Sequence, residues 1–257
     1  MLTPPEIARS LLAAGESKAR LPLGKMLLLA ILAGAYIALA GVGATAAAVT
    51  VESGSLAKLL SACVFPAGLS MVILAGSELF TGNCLMVMAL LERRITPAQL
   101  LRNWLTVYLG NAVGGAAVAA LAVYSHTASL FGDGLARSMV SIAESKAALG
   151  AGDAFLRGVL CNFLVCLAVW MAAASKRAEG KVIALFFPIL LFVLCGYEHC
   201  IANLYYLPAG AFAAAEYGMG TTLTLAGCLK NLAAVTLGNL VGGAALGVGY
   251  RFAYLKE

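Results

Sequence analysis

The stretch "GYEHCIAN", residues 196–203, has a counterpart 120 residues upstream, "GSELFTGN" at 76–83. Glycine, glutamate and asparagine recur at the same internal positions. A second pair, "LGNAVGG" at 109–115 and "LGNLVGG" at 237–243, matches at six of seven positions, 128 residues apart. Pro66 and Pro188 precede Gly76 and Gly196 by ten and eight residues. Proline, G-x-E-x-x-x-x-N and L-G-N-x-V-G-G therefore follow in one order in both halves. Small residues recur in membrane helices because they let helices approach closely. That accounts for V-G-G alone, not for an ordered set of three features. The chain reads as an internal duplication.

Composition says what each half contains. The chain is 62% hydrophobic and only 11% charged, with mean hydropathy +0.93. A soluble domain carries roughly 25% charged residues, so this is a membrane composition. Six apolar stretches are long enough to cross about 30 Å of hydrocarbon: 25–50, 58–91, 100–124, 154–175, 182–208 and 223–250. Each half holds three, an odd number, so the second half crosses in the opposite sense. That is the inverted-repeat design of many transporters. The expected architecture is an all-α membrane protein, a single transport domain over 1–257. Its six transmembrane helices form two inverted three-helix repeats, approximately 25–124 and 154–250. Helices 2 and 5 are broken, because their stretches are long and interrupted by proline, glycine and ionisable residues. Paired interruptions mark a transport site, and irregular backbone at membrane depth must be shielded from lipid.

Charge gives orientation. One side collects Arg9, Lys18, Arg20, Lys25, Arg93, Arg94, Arg102, Lys176, Arg177, Lys181, Arg251 and Lys256, twelve in all. The other collects five, Lys58, Arg137, Lys146, Arg157 and Lys230. By the positive-inside rule both termini are cytoplasmic. Residues 1–24 are charged and lack the order of a signal peptide. A surface helix is expected over 5–18, with Ile7, Leu11 and Leu12 on its apolar face. The longest connection, 125–153, is an outside loop placed to fold over the outer mouth. The net charge of +5 resides in loops, with no basic cluster among aromatics, so no nucleic acid partner is expected. Cys63, Cys161, Cys166 and Cys195 lie within apolar runs and read as small core residues, without a metal role.

Ionisable residues at membrane depth are costly and mark function. Glu78 and Glu198 are expected to accept the free backbone N–H groups of the opposite break. His199 corresponds to Leu79, so symmetry did not require a histidine, and imidazole exchanges protons near neutral pH.

At these residues the sequence resembles the formate/nitrite transporter family of bacterial inner-membrane proteins. The resemblance rests on "GSELFTGN", "LCNFLVCLAVWMA" (160–172), "GYEHCIANLYYLP" (196–208) and "VTLGNLVGG" (235–243), and runs from Gly34 to Tyr250. It implies a homopentamer in the lipid bilayer. Each six-span protomer, built like an aquaporin protomer, has its own pore. It also implies roles. His199 is the central histidine, and Thr81 is the threonine able to bond it or the anion. Lys146 makes the outer vestibule positive, and Asn162 lines the pore on span 4. Leu69, Leu79, Phe80 and Val165 form the inner constriction, and Phe65 and Phe192 the outer one. Glu198 and Asn203 brace the break in span 5.

The implied function is passage of a small monovalent weak-acid anion, formate first. Nitrite and hydrosulfide share the same central residues, and acetate and lactate are secondary candidates. A neutral-solute channel would carry paired Asn-Pro-Ala motifs, which are absent. A membrane enzyme using His199 with Cys200 lacks a third orienting group. No nucleotide-binding loop is present, and no cofactor is expected.

Overall fold

The structure, a computed structural model, describes residues 1–255, so Lys256 of the charge count lies outside the described residues. Its helices, in order, are α1 (Pro4–Ala19), α2 (Leu23–Ala48), α3 (Gly54–Val64), α4 (Pro66–Ala75), α5 (Phe80–Asn83), α6 (Val87–Leu91), α7 (Pro97–Tyr124), α8 (Gly134–Ala148), α9 (Ala151–Ala173), α10 (Ala178–Leu194), α11 (Cys200–Glu216) and α12 (Leu225–Tyr254). Short 3-10 turns occupy Cys84–Met86 and Thr127–Ser129, and no strand occurs among the described residues. Five helical segments are long and apolar enough to cross a membrane: Leu23–Ala48, Gly54–Ala75, Pro97–Tyr124, Ala151–Ala173 and Leu225–Tyr254.

The expected stretch 58–91 divides where its sequence says it should. Pro66 can open a helix because its missing N–H is not needed there, so α4 restarts directly after Phe65. Gly76, at φ 77°, ends α4 in the left-handed region, and Gly196, at φ 69°, follows α10 in the same conformation. A side chain there would be strained. Beyond each glycine the backbone is extended at Leu79 and His199, which cap α5 and α11. The stretch 182–208 thus becomes α10, a break, and α11. Pro208 does not end α11, which runs eight residues further to Glu216. One ladder bond is lost at Pro208, and packing of α11 along α7 and α8 compensates.

Two helix pairs carry the framework, α2 with α7 and α9 with α12. A Cβ on Gly114 would collide with the Ile31 carbonyl, and one on Gly242 with the Val159 carbonyl. The V-G-G motifs are therefore the contact surfaces of these pairs. The segment 125–153, expected as a loop, is mostly the helix α8, packed on α11. Helix α1 matches the expected surface helix, opened by a Thr3–Glu6 capping box. Just ahead of it, Leu2 N–H donates to the carbonyl of Ala174, the residue that follows α9.

Candidate functional site

Each break leaves backbone groups that need partners in the apolar interior. The asparagine of each L-G-N motif supplies them. Asn111 Oδ1 accepts from Phe80 N–H (3.0 Å), and its amide donates to the carbonyls of Ala30 (2.7 Å) and Glu78 (2.9 Å). Asn239 Oδ1 accepts from Cys200 N–H (2.9 Å), and its amide donates to the carbonyls of Gly158 (2.8 Å) and Glu198 (2.9 Å). The expectation that Glu78 and Glu198 would bond the opposite break is corrected here, because the asparagines bond those N–H groups.

The glutamates face lysines and amides instead. Glu78 accepts from Lys18 Nζ (2.6 Å) and Asn83 Nδ2 (2.7 Å). Glu198 accepts from Lys146 Nζ (2.9 and 3.1 Å) and Asn203 Nδ2 (2.7 Å). Asn83 also donates to Asn103 (2.9 Å), and Asn203 to Asn231 (2.8 Å). Lys146 is therefore not a free cation. It is ion-paired, and the Tyr206 ring lies 5.3 Å from its ammonium. Lys18, on α1, is the corresponding lysine of the first half, and sequence reasoning counted it only as a topology marker.

The two breaks meet at a buried contact. Thr81 Oγ1 lies 2.9 Å from His199 Nε2. His199 Nδ1 accepts from Ala202 N–H (3.1 Å) and so caps α11. An accepting Nδ1 is unprotonated, which puts the single imidazole proton on Nε2, facing Thr81. Thr81 then accepts from His199 and keeps its own O–H to donate. Asn162 is fully buried away from the mouth lining, and its amide donates to the carbonyls of Thr81 (3.3 Å) and Asn239 (2.7 Å). Cys166 Sγ also reaches the Thr81 carbonyl (3.3 Å).

Leu69, Leu79, Phe80, Val165, Phe65 and Phe192 are all buried in one apolar cluster. The Phe65 and Phe192 rings meet edge-on at 5.7 Å, and Phe192 stacks on His199 at 5.8 Å. Phe80 rests edge-on against Tyr108 (5.1 Å) and Trp104 (6.4 Å). Phe65, Phe192 and His199, all buried, line an open cavity of about 680 Å³, here called the mouth. Its walls carry Lys58, Arg137, Lys146 and Arg157 against one carboxylate, Glu198. Four of the five cations assigned to the sparse side thus converge on one cavity. Nearby, Glu144 holds the turn before α12 by accepting from Thr222 N–H (2.6 Å) and Thr221 Oγ1 (3.0 Å), and these bonds lower its carboxyl below the ordinary value.

Comparison with known proteins places the chain among related sequences and structures. The formate/nitrite transporter family pattern matches residues 5–253. A probable formate transporter from Methanothermobacter thermautotrophicus is 39% identical over 275 residues, covering 99% of this chain and 98% of that one. A solved FNT family ion channel superposes with TM-score 0.87 at 32% identity, over 96% of this chain and 98% of the other. A pentameric formate channel with formate bound superposes with TM-score 0.80 at 33% identity, over 91% and 98%. The molecule is a helical membrane transport protein of the channel type and not an enzyme. More particularly, the chain belongs to the formate/nitrite transporter family.

Proposed function

We propose that the chain passes formate across a membrane as its neutral acid, through a pore formed within each protomer. The observation that carries this reading is the sequence of environments along one path. A cationic mouth ends on the Phe65/Phe192 pair, which lies against the His199–Thr81 contact between the two breaks. The mouth cations raise the local anion concentration. Desolvating a bare carboxylate in an apolar slit costs several kcal/mol, whereas the neutral acid crosses readily. Water in the mouth supplies the proton, because a second proton on His199 would have to take the Nδ1 site that caps α11. The Thr81 O–H and the polarising His199 Nε2–H orient the carboxyl group below the aromatic pair. Leu69, Leu79, Phe80 and Val165 form the second apolar slit, and Asn162, Asn203 and Glu198 hold the breaks around it.

The same reading takes the chain as two inverted three-span repeats, with helices 2 and 5 broken as in an aquaporin protomer. The matching bonds made by Asn111 and Asn239, and by Glu78 and Glu198, each in its own half, support it. The protomers assemble as a pentamer, as in the related formate channel. They lie in a bacterial inner membrane with α1 on the cytoplasmic side and the mouth outside, as the lysine and arginine asymmetry favours. Formate, nitrite and hydrosulfide flux measured side by side in proteoliposomes tests the substrate. Formate is expected to move fastest, with acetate and lactate slower. Preference for nitrite or hydrosulfide would reassign the substrate within the family.

A further inference from the structure

The mouth carries more cation than one monovalent anion needs. Lys146 is committed to Glu198. Among the described residues, Lys58, Arg137 and Arg157 have no carboxylate within 4.0 Å. Arg137 bonds only the Gly132 carbonyl. Three uncompensated like charges around one cavity raise its potential and repel one another.

The same wall carries unused donors. Ser138, Ser141 and Ser145 follow one another at spacings of three and four on α8, which puts them on one helix face. All three line the mouth. Among the described residues none of these hydroxyls is hydrogen-bonded to protein, as the bonding of α8 and its neighbours shows. A stripe of hydroxyls facing arginine and lysine offers the donor set that several oxygens on one anion require, and guanidinium groups match oxyanions in geometry as well as charge.

We infer that the mouth is a binding site for divalent oxyanions such as sulfate, which occupy it without passing the Phe65/Phe192 pair. Such an ion answers the three free cations and the serine face together. It cannot follow a monovalent weak acid inward, because sulfate keeps both charges at neutral and mildly acidic pH and one proton would not neutralise it. It therefore competes with a monovalent substrate entering from the mouth side. That competition rests on the transport reading above, while the binding does not.

The test has two arms. In the first, radiolabelled sulfate is equilibrated with the full-length protein in lipid nanodiscs. Native protein, Lys58→Gln/Arg157→Gln, Ser141→Ala/Ser145→Ala and the conservative Lys58→Arg are compared, with chloride at matched ionic strength as control. Saturable binding is expected, resistant to chloride. The double charge variant weakens it about tenfold or more, since charge-assisted bonds exceed neutral ones. The serine pair weakens it roughly threefold, and Lys58→Arg retains it, which shows that charge at 58, not the lysine itself, is needed. Non-saturable binding, equal displacement by chloride, or affinities unchanged in both double variants would overturn the proposal. In the second arm, sulfate is added on one side of proteoliposomes of known orientation during formate flux. Slowing is expected from the mouth side only, with no sulfate accumulating inside. Sulfate crossing the membrane overturns the exclusion. Absence of formate flux at any sulfate concentration counts against the transport reading alone, because the binding arm is read without it.

Discussion

His199 has different tasks at its two nitrogens. Nδ1 caps α11 through Ala202 N–H, and Nε2 meets Thr81. The two tasks can be separated by substitution. Asparagine is a strong helix cap and alanine is not, the difference being typically about 1 kcal/mol. His199→Asn is expected to keep the thermal unfolding midpoint near native in detergent while losing most of the formate flux, because it retains the cap but not the Nε2–H that meets Thr81. His199→Ala is expected to lose both. Equal stability of the two variants would show that the cap contributes nothing. Thr81 is marked only by the family resemblance of "GSELFTGN", and His199 stands out in the sequence because an ionisable group at membrane depth is rare. The Lys146–Glu198 pair does not, because nothing in "ESK" at 144–146 says which carboxylate 52 residues away will receive that lysine. Lys58, Arg137 and Arg157 read as topology markers for the same reason, and only the fold brings them to one cavity.

At the scale of elements, the repeated L-G-N motif has a double use. Its glycines let α7 approach α2 and α12 approach α9, and its asparagines bond the backbone of the breaks. The repeat itself is plain in the sequence, since identical residues recur in order. The bonding is not, because it depends on which carbonyls each break leaves free after folding. Span ends were legible within a few residues for the unbroken helices. At Pro208 the proline rule points to a boundary that packing overrides. Cys63 and Cys195, expected in the core, are exposed. A membrane protein is apolar outside as well as inside, so hydropathy does not separate the two. Asn239→Ala would leave Cys200 N–H and the Glu198 carbonyl of the break unpaired. Each buried orphan costs about 1–3 kcal/mol. Asn239→Ala and Asn111→Ala are each expected to lower the thermal midpoint strongly and to similar extents. A loss confined to one half would contradict equivalent bracing of the two breaks.

At the scale of the molecule, one charge asymmetry serves two ends. It favours the proposed orientation of the chain, and on its sparse side it gathers four cations around a single entrance. On the proposed path the two slits below that entrance are apolar, so charge attracts the anion but does not carry it through. On the proposed reading, the form in which formate crosses is decided in the mouth, by a proton taken from water. This is measured most directly by following formate uptake and internal pH together in proteoliposomes of the native protein, at several external pH values. Uptake that rises as external pH falls, with about one proton entering per formate, is the predicted result. A steady formate current with no accompanying proton movement, equal at all pH values, would contradict it and make the pore a conductor of the bare anion.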